Sequence, residues 1–196
     1  MPAARESLLE AAGAALAARP WPDVRMVEVA AAAGVSRQTL YNEFGDKAGL
    51  GRAMVRRETE WYLAGVDRAL AGPAGSAERL LALADWIVGA ARAHPLLRAL
   101  LTGCWAPELP APVPRPGPGE LARAVCERAA AALAPGGATP QRCELVVRLA
   151  LSYVIVPGKG DQWEDPESWR PMTPTITRVI ETIFRVETRS PRNTMP

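Results

Sequence analysis

Apolar positions recur at helical spacing along almost the whole chain, and no convincing run of alternating β-formers interrupts them. One long helix is predicted over residues 46–70, passing Met54, Trp61, Tyr62 and Val66 and stopping at Gly72-Pro73. Ser76 is then expected to cap a strongly apolar helix through Leu80, Leu83, Ala84, Ile87 and Ala91, which ends before His94-Pro95. A short helix over 96–103 follows. Residues 106–119, APELPAPVPRPGPG, hold six prolines, which lack donors and are excluded from helix interiors, so this stretch reads as an extended connector. Further helices are predicted over 120–133, 141–156 and 174–186, with the breaker PGGATP between the first two. The fold class is all-α.

The stretch 27–47, VEVAAAAGVSRQTLYNEFGDK, has a different texture: two short helices, a tight turn, and an abrupt restart. Two helices crossing steeply over a short turn must bring their backbones close together. Ala30 is small enough for that approach. Gly34, four residues on, can adopt the left-handed conformation that ends the first helix. Ser36 suits the N-cap of the second helix, and Leu40 and Phe44 share its inward face. Arg37, Gln38, Thr39, Tyr41 and Asn42 remain for a groove, and all are side chains able to reach base edges or phosphates. Asp46 is placed to cap the next helix. Lys47 in its first turn opposes the helix dipole, which makes sense beside a phosphate.

Residues 5–57 resemble the DNA-binding domain of the TetR family of bacterial transcriptional regulators. LLEAAGAALAA matches its first helix, VEVAAAAGVS its second helix and turn, and QTLYNEFGDK its recognition helix and restart. The specific part is Thr39, Leu40, Tyr41, Phe44 and Lys47. The resemblance implies that Tyr41 and Lys47 contact phosphate and that residues at the start of the recognition helix, Ser36 among them, face the bases. Two positions depart from the family pattern. Arg25 or Met26 stands where Thr or Ser usually caps the second helix, leaving Asp23 as the candidate cap. Glu43 stands where His is frequent, and an acid there cannot favour phosphate.

The resemblance also implies a three-helix head over 1–57, a helical effector-binding and dimerisation domain over 58–188, and a tail over 189–196. The last two helices would pair with their symmetry mates in a homodimer. In the first of them Leu145, Leu149 and Ser152 form one stripe and Val146, Ala150 and Val154 another. The second helix carries Ile176, Val179, Ile180, Ile183 and Phe184. A two-fold dimer suits a palindromic operator on double-stranded DNA, with half-sites about one helical turn (~34–36 Å) or more apart. Trp61, Tyr62, Trp86, Cys104 and Trp105 are the candidate walls of a pocket for an unidentified small-molecule effector. Plain core packing is the alternative reading of the same aromatics. Trp163 and Trp169 would cover the dimer edge.

Bulk properties alter little. The 196 residues are 48% hydrophobic and 22% charged, with a net charge of +2. Residues 1–57 hold eight Lys/Arg against six Asp/Glu. The case for DNA therefore rests on the motif and not on a basic field, and few phosphate contacts per subunit are expected. Cys104, Cys126 and Cys143 show neither metal-ligand spacing nor a disulfide framework. With no signal or membrane-length apolar run, a soluble cytoplasmic protein without metal or cofactor is expected. Enzyme chemistry finds no constellation: His94 is the only histidine, a surface or capping residue by position, and Gly158-Lys159-Gly160 lacks the rest of a phosphate loop. The expected protein is a homodimeric, ligand-released repressor. The alternatives are a helical ligand-binding or scaffold protein with a vestigial DNA-binding head, and a DNA binder with no effector.

Overall fold

A computed structural model describes residues 2–156, 178–180 and 182 of the chain. Residues 2–156 form eight α-helices, and no strand occurs among the described residues: α1 (Pro2–Ala18), α2 (Met26–Ala32), α3 (Arg37–Phe44), α4 (Lys47–Leu70), α5 (Ser76–Ala93), α6 (Pro95–Thr102), α7 (Pro118–Leu133) and α8 (Pro140–Ile155). Single 3-10 turns stand at Trp21–Asp23 and Ala134–Gly136. No single helix among the described residues is long and apolar enough to cross a membrane.

The described residues fall into two compact units, those up to Leu63 with His94–Glu120, and Ala64–Ala93 with those from Leu121 onward. The head expected over 1–57 therefore shares its unit with α6 and the proline-rich connector, and the boundary near residue 63 falls within the continuous helix α4. In the first unit, α1, α2 and α3 pack on one another around Leu8, Leu9, Ala12, Val29, Ala30, Leu40 and Phe44, with Leu50 and Met54 of α4 also buried. Each fully buried leucine contributes roughly 1.5–3 kcal/mol of transfer free energy.

In the second unit α5 and α8 make the most extensive helix pair. Leu80, Leu83, Ala84, Ile87 and Ala91 are buried on α5, and Cys143, Val146, Val147, Ala150 and Val154 on α8. Leu121, Val125, Ala129 and Leu133 form the buried stripe of α7 at four-residue spacing. Ser76 does not cap α5. The preceding Gly75 holds the cap position, its carbonyl opening the helix by accepting from Arg79 N, and the Ser76 hydroxyl donates instead to the Gly136 carbonyl at 3.2 Å. Thr139 does cap α8, accepting from Arg142 N.

Arg79 closes two helix ends at once. Its Nε donates to the Leu70 carbonyl at 2.5 Å and its Nη2 to the Ala132 carbonyl at 3.2 Å. Both are C-terminal carbonyls, where a cation also complements the dipole. Replacing Arg79 by methionine keeps the stem but leaves both oxygens without it. A loss of about 1–3 kcal/mol is expected, read as a drop of several degrees in the thermal melt. An unchanged melt would contradict this role.

Of the helix expected over 174–186, residues 178–180 and 182 are described and helical. Ile176, Ile183 and Phe184 lie outside the described residues, as do Trp163, Trp169 and the tail over 189–196.

Candidate nucleic-acid interface

The recognition element is built as its spacing requires. Gly34 takes φ +67°, and Val35 N donates back to the Ala30 carbonyl at 3.1 Å, closing α2. Ala30 is buried, as close helix approach demands. Ser36 caps α3: its Oγ accepts from Thr39 N at 3.0 Å and lies 2.8 Å from Thr39 Oγ1. These two hydroxyls thus occupy each other, and both serve first to fix the start of α3. Leu40 and Phe44 anchor the helix in the core, which leaves Arg37, Gln38, Tyr41 and Asn42 exposed along the outer face. Gln38 Nε2 donates to Asn42 Oδ1 at 2.8 Å, so two amides one turn apart are already aligned. Such a pair limits the side-chain entropy lost when bases are contacted.

The flanks of α3 depart from expectation in instructive ways. Asp23 does not cap α2; Arg25 occupies that position without a side-chain bond, and Asp23 lies in the 3-10 turn before it. Glu43 is half-buried, and its Oε2 stands 3.7 Å from Arg5 Nη1. Arg5 also lies over the Phe44 ring at 4.8 Å from the centroid, so α1 and α3 are joined through one guanidinium. Glu43 is thereby a residue of the α1–α3 junction. Sequence spacing gave no sign of Arg5, which lies far from α3 in the chain.

Gly45 takes φ +75°, and Asp46 Oδ1 accepts from Gly49 N at 2.5 Å, capping α4. Lys47, half-buried, donates through Nζ to the Pro22 carbonyl at 2.8 Å and sits 5.2 Å from the centroid of the Trp21 ring. Burial lowers its pKa from the ordinary lysine value, while the negative charge of Asp23 works in the opposite direction. The lysine that opposes the α4 dipole thus has an internal rest, and its remaining N–H groups are left for an anion. Neither Trp21 nor Pro22 carries a sequence signal for this task.

The sequence profile described as "Bacterial regulatory proteins, tetR family" matches residues 8–54, the segment from within α1 through α2 and α3 to the start of α4. The HTH-type transcriptional regulator AlkX of Mycobacterium tuberculosis is 32% identical over 180 residues, covering 89% of this chain and 85% of that protein. The chain belongs to the TetR family. It is a helix-turn-helix, DNA-binding transcriptional regulator.

Solved TetR-family structures agree in fold. The repressor AlkX from Dietzia sp. strain DQ12-45-1b, implicated in biodegradation of n-alkanes, superposes with a TM-score of 0.50 at 22% identity, over 93% of this chain and 94% of that one. A TetR-family regulator from Streptomyces coelicolor gives a TM-score of 0.56 at 20% identity, over 95% and 81%.

Trp61, Tyr62, Cys104 and Trp105 belong to the first unit, and Trp86 to the second. Tyr62 is fully buried, Cys104 is exposed, and the Trp61 ring stacks at 4.2 Å on His94. His94 is no side-chain cap for α6. Its Nδ1 lies 2.7 Å from Glu58 Oε1, joining the start of α6 to α4. Trp105 is half-buried, and its enclosed Nε1 has no hydrogen-bond partner among the described residues. Trp86 lies against Gly65, where an added Cβ would stand 2.0 Å from the indole, and Arg68 covers its ring. That contact brings α5 against α4. The thiols of Cys126 and Cys143 are pushed up chiefly by burial, which favours their protonated form.

On α8, Val146, Ala150 and Val154 face the core, whereas Leu145 is 48% exposed, Leu149 half-buried and Ser152 exposed. Ile155 and Val156 extend the uncovered apolar surface. Of the last helix, Val179 is exposed. Ile180 is fully buried within the subunit, so it belongs to the core and not to an interface stripe.

Proposed function

We infer that this regulator is a homodimeric repressor whose paired α3 helices read a palindromic operator, and that a small molecule releases it. The observation that carries the DNA reading is the capped α3, with its two apolar anchors turned inward and Arg37, Gln38, Tyr41 and Asn42 left outward. In this reading residues 1–57 supply the head, and Tyr41 and Lys47 grip phosphate on either side of it. Leu145, Leu149, Ser152 and Val179 supply the dimer contact, for which the exposed apolar surface of α8 is the support. The working place of such a protein is the cytoplasm, and no catalytic step is assigned to it. The vestigial-head alternative rested on Glu43, which here faces Arg5.

For the effector, Trp105 offers an enclosed N–H without a partner among the described residues, and Tyr62 on α4 is fully buried. The AlkX relatives, one implicated in biodegradation of n-alkanes, make long apolar molecules with one terminal acceptor the first class to screen. Ligand would act by favouring a head spacing that misfits the half-sites.

Arg37→Ala and Tyr41→Phe test the DNA reading. Arg37→Ala is expected to cost about 1–3 kcal/mol per subunit and to relax base preference. Tyr41→Phe is expected to weaken binding equally across sequences. Operator affinity and sedimentation of both variants give the answer. Unchanged affinity in either would remove that residue from the interface.

A further inference from the structure

The proline-rich connector is fastened to the head. Trp21 N donates to the Glu108 carbonyl at 2.8 Å, joining the turn after α1 to a segment that follows α6. Pro110 is buried beside Gly51 of α4: an added Cβ at Gly51 would lie 3.1 Å from Pro110 Cβ and 3.4 Å from Trp21 Cζ2. The missing Cβ thus makes room for both rings. Local backbone bonds, Leu109 N to the Ala106 carbonyl and Ala111 N to the Leu109 carbonyl, shape this anchored part, whereas Val113 and Arg115 beyond it are exposed. On the Trp21 ring and the adjoining Pro22 carbonyl rests Lys47.

We propose that Glu108–Pro110 form a strap that positions Lys47 for the operator backbone through Trp21, so that a segment outside the helix-turn-helix sets DNA affinity. The chain of contacts is short and continuous: Pro110 fills the gap over Gly51, Glu108 fixes the Trp21 backbone, and Trp21 supports the ammonium. Pro110 and Trp21 are positioning residues; only Lys47 meets the phosphate. Five residues separate the end of α6 from Glu108. A displacement of α6 would therefore reach Lys47 without passing along α4. The inference rests on the reading of Lys47 as a phosphate contact, and its test separates the two.

The full-length dimer is titrated with operator DNA over a range of salt, as wild type, Lys47→Ala, Pro110→Gly, Gly51→Ala, and each strap variant combined with Lys47→Ala. Gly51→Ala raises helix propensity while pushing Pro110 and Trp21 outward, so it disturbs the strap without weakening α4. Lys47→Ala is expected to reduce the slope of log affinity against log salt by about 1 per subunit. Pro110→Gly and Gly51→Ala are each expected to lower affinity roughly three- to tenfold, to flatten the slope in the same sense, and to add nothing once Lys47 is alanine. A strap that merely stabilises the head would give losses that persist beside Lys47→Ala with the slope unchanged, and that result overturns the proposal. So does wild-type affinity in both strap variants while Lys47→Ala alone is impaired. An unchanged slope in Lys47→Ala removes the phosphate contact itself, and the strap's proposed role with it.

Discussion

Gly49→Ala is expected to abolish operator binding by unfolding the head. A Cβ at residue 49 would stand 1.8 Å from the Phe44 carbonyl oxygen and 3.0 Å from its carbon. Both are main-chain atoms, and they belong to the last residue of α3, so relief requires moving the recognition helix or breaking the turn. The Asp46 side chain holds Gly49 N at 2.5 Å and fixes the same turn from the other side. With Phe44 buried in the core, the clash has no soft partner. A cost on the order of 4 kcal/mol or more is expected, in the range of the largest single-site effects. Gly89→Ala is the matched control. It too lies in a helix, with nothing within 4 Å of the added Cβ, and it should be neutral or stabilising by about 1 kcal/mol. Circular dichroism melts and amide exchange on α3 report the difference. A Gly49→Ala protein with a wild-type melt and wild-type operator affinity would show that the turn between α3 and α4 is built otherwise.

Leu145→Lys is expected to separate the dimer while leaving each subunit folded. Leu145 is 48% exposed in the subunit, so an added charge there costs the isolated fold little. In a two-fold assembly through α8 the same substitution enters the interface twice, placing two like charges in a region otherwise covered by Leu149 and its apolar neighbours. Operator affinity falls with it, because two linked heads gain roughly 10²–10⁴ over one. Sedimentation, the thermal melt and DNA titration together distinguish the cases. Val146→Lys, one residue on, should instead unfold the second unit, since Val146 is fully buried. A dimer of wild-type stability in Leu145→Lys would exclude this face of α8 as the contact.

The recognition element was legible in the sequence because its determinants are local. Ala30, Gly34, Ser36, Leu40 and Phe44 lie within fifteen residues and act through helix spacing, a left-handed glycine and one cap. The supports of that element were not legible, because they come from distant chain. Arg5 reaches Glu43 and Phe44 from α1, Pro22 receives Lys47, and Glu108 receives Trp21 N. Residue type alone also chose two caps that backbone geometry placed elsewhere, Asp23 in a 3-10 turn and Ser76 against Gly136. Periodicity marked the apolar faces of α8 and of the last helix, but a stripe carries no label for which side its own subunit covers. Leu145 and Ile180 fall on opposite sides of that distinction.

Operator reading is tested most directly by fluorescence anisotropy of the purified protein with the DNA immediately upstream of its own gene, near physiological salt and with excess non-specific competitor. Binding that resists competitor, saturates at two subunits per site, and is lost in Arg37→Ala is the expected result. Weak binding that salt and competitor abolish, there and on other candidate operators alike, would contradict a sequence-reading head.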